Sequence, residues 1–164
     1  MFSISMAQVS PGATITTNLT LTGNLDASAY AGSALKIGAD NITIDGAGYT
    51  ITVNGNNTAF ELYNHHHVII KNVNVVSSVA GQGYGIRLQN ANFNKITGNT
   101  FTNLVTGIYT SGTNSNDTLA SNSITNSSGT AFESYVHNCN NVDWIITGNT
   151  VTGGSGWGIQ YQGR

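Results

Sequence analysis

Apolar and polar residues alternate in short runs along most of the chain, and no window of useful length has the 3.6-residue period of a helix. Alternate side chains of a strand point to opposite faces, so each run predicts a short β-strand with one buried face. The runs repeat at intervals of 26, 26, 23 and 27 residues, as shown by the apolar residues that precede a corner at Ile44, Ile70, Ile96, Leu119 and Ile146.

A second series has the same repeat. AFEL at 59–62, GIRL at 85–88 and GIQY at 158–161 each join a small residue to an alternating apolar run. Strands and turns that repeat every roughly 20–50 residues are typical of solenoids, and parallel crossovers are almost always right-handed. We therefore predict an all-β fold over residues 13–164. It is a right-handed single-stranded parallel β-helix of about six coils, each of about 22–27 residues with three strands.

Equivalent residues of successive coils are predicted to stack inward as the core, about 4.8 Å apart. The first stack is the series that begins at Ile44. The second is Leu21, Ile51, Val75, Phe101, Ile124 and Val151, and the third is Ile37, Leu62, Leu88, Thr110, Ser134 and Tyr161. Asn99, Asn122 and Asn149 share one turn position, where their amides can form a hydrogen-bonded ladder along the axis.

Composition excludes several classes of function. Only 7% of the 164 residues are charged and the net charge is −2, which argues against nucleic-acid binding because phosphates require a basic surface. No apolar run approaches the length of a membrane span. Residues 1–12 are a separate N-terminal segment, and its opening MFSISMAQ is similar to the end of a secretory signal. The expected location is extracellular or at the cell surface.

Three segments resemble a known family. ADNITIDGAGYTIT at 39–52, KITGNTFTN at 95–103 and IITGNTVTG at 145–153 resemble coils of the pectin-lyase-like β-helix superfamily, particularly its carbohydrate-binding and sugar-hydrolase-type repeat proteins. The resemblance implies a parallel β-helix and an extracellular protein. Members include polysaccharide lyases, hydrolases, epimerases, tailspikes and adhesins, so the fold does not choose the activity.

The resemblance also implies where a site would lie, because enzymes of this superfamily use outward residues of one parallel sheet. The sheet of the GIRL-type strands is the candidate. Its outward residues are predicted to form two columns, an outer column of Lys36, Glu61, Arg87, Tyr109, Glu133 and Gln160, and a second column that includes Tyr63, Gln89 and Tyr135. Tyrosines and polar side chains suit sugar rings and hydroxyls, so this face is the predicted carbohydrate-binding surface. The alternative is a plain surface on which alternating charges stabilise adjacent strands.

Catalysis has weak candidates on the same face. Arg87, Glu61, Lys36 and Glu133 would serve a polysaccharide lyase or hydrolase. A hydrolase needs two carboxyl groups about 5–9.5 Å apart. Glu61 and Glu133 are three rungs apart, or about 14 Å at strand spacing, and arginine is a poor base. The sequence therefore favours contact with polysaccharide without cleavage.

Two groups of residues are candidate metal sites, and neither is predicted to bring a full set of ligands together. His65, His66 and His67 are consecutive, and adjacent side chains diverge, so they are predicted to form an exposed turn rather than a metal site. Asp117 and Asp143 lie near one corner on adjacent coils and could hold calcium with further oxygen ligands, or cap turns. No cofactor is predicted, with calcium as the weak alternative.

Two other functions remain open. Threonine pairs flank the second core stack at Thr20/Thr22, Thr50/Thr52, Thr100/Thr102 and Thr150/Thr152, with Ser123/Thr125 similar and Asn74/Val76 as a break. Such hydroxyl columns are similar to the faces of β-solenoid ice-binding proteins, although threonine is also a common strand residue. The C-terminal GWGIQYQGR has no evident cap, so self-association into a filament, adhesin or tailspike-like subunit is a further alternative.

Overall fold

The computed structural model describes residues 8–136 and 143–163, and the chain forms a solenoid in which each coil visits three parallel sheets in the same order. Every strand pair in the described chain is parallel, and each strand pairs with its equivalents in adjacent coils. The prediction of an all-β solenoid with about six coils and three strands per coil is confirmed. No described segment forms a helix that could span a bilayer.

Successive strands along the chain belong to sheets A, B and C in turn. Sheet A contains β1 (Ala13–Ile15), β4 (Ser33–Ile37), β7 (Thr58–Tyr63), β10 (Tyr84–Gln89), β13 (Thr106–Gly112), β16 (Phe132–Val136) and β19 (Ile159–Gly163). Sheet B contains β2 (Leu19–Thr20), β5 (Thr43–Asp45), β8 (Ile69–Lys71), β11 (Lys95–Thr97), β14 (Thr118–Ala120) and β17 (Ile145–Thr147). Sheet C contains β3 (Leu25–Asp26), β6 (Thr50–Val53), β9 (Asn74–Ser77), β12 (Thr100–Thr102), β15 (Ser123–Thr125) and β18 (Thr150–Thr152).

The core consists of the predicted inward stacks. Ile44, Ile70, Ile96, Leu119 and Ile146 are direct partners in sheet B. In sheet C, Ile51 is followed by Val75, Phe101, Ile124 and Val151. Most of these side chains are fully buried, but Ile146 and Val151 are exposed because they lie in the last described coil, where one side has no described coil against it.

One predicted core position is wrong. Leu21 does not belong to the sheet C stack, because Leu25 is the residue that pairs with Ile51. Leu21 lies at the corner between β2 and β3, where it is still buried and its N–H donates to the Asp45 carbonyl. The corners between sheets B and C are longer in the first two coils than later, so extrapolating the later spacing backward selects the wrong leucine.

The asparagine-rich composition is explained at the corners. Asn64, Asn72, Asn90 and Asn103 are among several asparagines with φ between 51 and 60°, a left-handed conformation that most side chains avoid and asparagine tolerates. Asn99 and Asn122 instead point inward and are buried, and the predicted amide ladder is present. Asparagine thus both shapes the turns and pairs backbone groups between coils.

Candidate functional site

The outer column of sheet A forms in the predicted order. Direct strand partners join Lys36 to Glu61, Glu61 to Arg87, Arg87 to Tyr109, Tyr109 to Glu133 and Glu133 to Gln160. The second column is also in register, with Gln89 between Tyr63 and Ser111, and Ser111 beside Tyr135. Thr14 pairs with Lys36 and extends the outer column by one rung that the sequence reading missed.

A polar groove opens at the middle of this face. It encloses about 210 Å³ and is lined by Tyr63, Arg87, Leu88, Gln89, Tyr109 and Ser111. Arg87 and Gln89 lie on its central rung, with Tyr63 on one side and Tyr109 and Ser111 on the other. The volume is below the usual range for sites that enclose drug-sized ligands, so the groove matches one small polar unit of a longer ligand.

Arg87 lies between two aromatic rings. Its guanidinium carbon is 3.9 Å from the centroid of the Tyr84 ring and 5.6 Å from that of Tyr109. The two tyrosine rings meet edge to face, with centroids 6.5 Å apart. Both distances permit cation–π attraction, which restrains the guanidinium. Tyr84 was not a predicted site residue, although a tyrosine at a position that is serine or threonine in neighbouring coils was a detectable signal.

The acids of the outer column are engaged by hydroxyl groups from the preceding coil. Ser33 Oγ donates to Glu61 Oε2 at 2.5 Å, and Thr106 Oγ1 donates to Glu133 Oε2 at 3.2 Å. Thr130 makes the same contact with the Gln160 amide oxygen at 3.2 Å. These hydroxyl residues lie three positions before the outer column, and the sequence reading missed them. Each hydrogen bond ties a carboxylate or amide oxygen to a hydroxyl group on the same face.

The weak catalytic candidates do not assemble a hydrolytic pair. Glu61 and Glu133 are separated by the rungs of Arg87 and Tyr109, or about 14 Å at strand spacing, as the sequence predicts. Lys36 is exposed on the rung beyond Glu61 and does not line the groove. The described part of this face therefore has no two carboxyl groups at the separation that glycosidases use.

The phenol of Tyr109 is neutral and lies beside Arg87. Burial raises the pKa of its phenol, and the nearby Glu133 carboxylate raises it further, while the Arg87 cation opposes the shift. A phenol with a raised pKa stays protonated at neutral pH and above. Its ring forms one side of the groove. The side chains of Tyr135 and Gln162 lie outside the described residues.

The three histidines diverge, as predicted. His65 Nδ1 is 2.8 Å from Asp40 Oδ1, and hydrogen bonds from His65 and the His66 backbone hold the pKa of Asp40 below its ordinary value. His66 Nδ1 accepts a hydrogen bond from the Asn92 backbone at 3.1 Å. The ring of His67 stacks on Phe93, with centroids 5.0 Å apart. Among the described residues, no group of three histidine, cysteine or acidic side chains converges.

The proposed calcium pair does not form either. Asp117 is 1% exposed and its Oδ1 accepts the Asn94 backbone N–H at 2.8 Å, whereas Asp143 is exposed. The partner of Thr118 is Ile145, so Asp117 aligns with Trp144 and not with Asp143. The one-residue offset sends the two carboxylates to opposite sides of the backbone.

The threonine columns of sheet C are in register from the second coil onward. Thr50/Thr52, Asn74/Val76, Thr100/Thr102, Ser123/Thr125 and Thr150/Thr152 are successive partners. The prediction is wrong for the first coil. Thr20 pairs with Asp45 in sheet B, and Thr22 lies at the corner outside any strand. Asp26 is the residue beside Thr52, so the hydroxyl array begins one coil later than predicted.

Comparison with known proteins agrees with this architecture. A family described as "Periplasmic copper-binding protein (NosD)" matches residues 10–163, whereas no curated protein and no solved structure matches the chain significantly. The match spans nearly the whole solenoid, from before β1 to the end of β19. The chain therefore belongs to the NosD family.

Proposed function

We propose that the protein binds polysaccharide through the outer face of sheet A without cleaving it. The observation that carries this proposal is the polar groove around Arg87 and Gln89, with tyrosines on both sides. Tyrosine rings pack on the C–H faces of sugars, while amide and hydroxyl groups pair with sugar hydroxyls. A repeating face also suits a repeating ligand, because each coil presents equivalent positions at a fixed spacing.

The proposal that the protein does not cleave polysaccharide rests on the positions of its acidic side chains. Glu61 and Glu133 are too far apart for hydrolysis at the register described above, and each is hydrogen-bonded to a hydroxyl group. Arg87 is the cation nearest the groove, and a guanidinium does not give up its proton in a protein. Arg87 is therefore a poor candidate for a lyase base.

The matching family carries a copper-binding description, but the residues that the structure describes do not fit a copper site. Copper needs several converging nitrogen or sulfur ligands. His66 accepts a hydrogen bond at Nδ1, so its neutral ring carries the proton on Nε2, the atom that a metal would need. His65, oriented by Asp40, offers a single nitrogen. His137 and Cys139 lie outside the described residues. The proposed function therefore involves no copper step.

We also propose that binding takes place outside the cytoplasm. The description of the family is periplasmic, and the near-uncharged composition is compatible with contact with cell-surface or extracellular glycans.

Replacing Tyr109 with alanine is the test of the binding face. Wild-type protein is expected to be retained by at least one polymer of a polysaccharide array, and Tyr109→Ala to weaken that retention about tenfold, since one stacking ring is lost. Tyr49→Ala is the matched control, because Tyr49 is exposed at a corner far along the coil from sheet A. Released reducing or unsaturated ends are measured in the same samples. Unchanged binding by Tyr109→Ala, or release of product by wild type, would contradict the proposal.

A further inference from the structure

We propose that Arg87 is a subsite for a carboxylate, so that the polysaccharide bound by this face is acidic. This inference rests on the proposed function and specifies its ligand. The feature behind it is an arginine that lines a groove and has no ionic partner among the described residues.

The absence of a partner is unexpected from the register alone. Glu61 is the direct strand neighbour of Arg87, so an ion pair across adjacent rungs would be the ordinary outcome. Glu61 instead accepts the hydroxyl of Ser33, and Glu133 accepts that of Thr106. The Arg87 Nε atom is buried and has no hydrogen-bond partner. Leaving such a donor unpaired is costly. No acceptor among the described residues competes for Arg87 on this side, and a ligand in the groove would meet its terminal nitrogens.

The aromatic contacts define which part of Arg87 remains available. The guanidinium carbon lies 3.9 Å from the centroid of the Tyr84 ring and 5.6 Å from that of Tyr109. These cation–π contacts use none of the N–H groups, which lie along the edge of the planar guanidinium. That edge is a rigid fork that matches the two oxygens of a carboxylate, a fit that a lysine ammonium could not reproduce.

The surrounding groups favour one anionic position on a sugar and disfavour a highly charged polymer. Gln89 and Ser111 supply donors and acceptors for neutral hydroxyls beside Arg87. Glu61 and Glu133 border the groove along the outer column and would repel densely spaced anions. A ligand with one carboxylate per ring, separated from the next by neutral groups, meets both conditions.

The test compares each acidic polymer with its own methyl ester, which removes the charge and keeps the backbone. Polygalacturonate, alginate and hyaluronan are the probes, with dextran and galactan as neutral polymers, and affinity is measured by retention at two salt concentrations. At least one acidic polymer is expected to bind, and its ester to bind about tenfold less well, since a charged hydrogen bond is lost. Arg87→Gln should weaken binding to the acid by a similar factor and weaken binding to the ester much less, so that the preference for the acid is lost.

Two further variants isolate the geometry from the charge. Arg87→Lys keeps the charge but not the fork, and is expected to remain weak. Lys95→Gln removes the same charge from an exposed position on sheet B and is expected to change affinity less than about twofold. Equal binding of acid and ester, or full binding by Arg87→Gln, would overturn the carboxylate subsite. The subsite would also be overturned if the protein bound only neutral polymers and Tyr109→Ala lost that binding. The proposed function would then still stand. No retention on any polymer would defeat both.

Discussion

Replacing Asn122 with alanine is expected to lower the free energy of unfolding by about 3 kcal/mol, because it leaves buried backbone groups of the preceding coil unpaired. Asn122 is 1% exposed. Its Oδ1 accepts the Asn99 backbone N–H at 3.1 Å, and its Nδ2 donates to the Ile96 carbonyl at 2.9 Å. Urea unfolding followed by far-ultraviolet circular dichroism measures the loss.

The control for this prediction is Asn56→Ala. Asn56 is exposed in the turn before β7 and makes no side-chain hydrogen bond to a described residue, so its replacement should change stability by less than about 0.5 kcal/mol. If Asn122→Ala unfolded at the same urea concentration as wild type, the ladder would not contribute to stability and its bonds would be exchanged for water at no cost.

Replacing Asp117 with asparagine is expected to stabilise the protein above pH 7 and to remove a pH dependence that wild type has. Burial raises the pKa of Asp117 from its ordinary value of 3.8 to about 7, against the effect of its hydrogen bond from Asn94. Its Oδ2 is buried and has no hydrogen-bond partner among the described residues. Asparagine retains the acceptor for the Asn94 N–H and cannot ionise.

The sign follows from proton binding. Between pH 4 and pH 7 the folded state keeps the Asp117 proton that the unfolded chain has lost, so stability falls as pH rises through this range and then levels off. The shift corresponds to at most about 4 kcal/mol in total, and we expect a difference of about 2–3 kcal/mol between pH 5 and pH 8, because part of the loss has already occurred below pH 5. Asp26, Asp40 and Asp45 have lowered pKa values and titrate below this range.

The measurement is urea unfolding of wild type, Asp117→Asn and Asp143→Asn at pH 5 and pH 8. All other ionisable groups are the same in wild type and Asp117→Asn, so the difference between the two proteins isolates the one carboxyl group. Asp143 is exposed, so its variant should follow wild type. Parallel pH profiles for wild type and Asp117→Asn would show that Asp117 is not protonated in the folded state.

The candidate site was predictable as far as strand periodicity reaches. The position of Arg87 between Glu61 and Tyr109 follows from counting residues between coils, because parallel strands of similar length place equivalent residues side by side. Tyr84 and Ser33 escaped this reasoning. They lie at the start of their strands, where alternation is interrupted by the small residues Ala34 and Gly85, so their orientation could not be read from a period of two.

The first coil shows the same limit in the fold. Leu19, Leu21 and Leu25 are all spaced to suit a strand, and sequence alone gave no reason to assign Leu25 to the sheet C stack. The number of residues in the corner between two strands decides which residue begins the second strand. That number depends on how the turn packs against the adjacent coil. The threonine array inherited this error at Thr20 and Thr22.

By itself, the sequence determined the solenoid, its three strands per coil and the order of residues along each column, because these depend on periodic spacing that is local in the chain. The tertiary structure alone decided which polar groups pair across coils. Arg87 has an acid as its neighbour by register, yet the hydroxyls of Ser33 and Thr106 engage the acids and two tyrosines hold the guanidinium. Such pairing depends on side-chain directions between coils, where small differences in angle select one hydrogen bond over another.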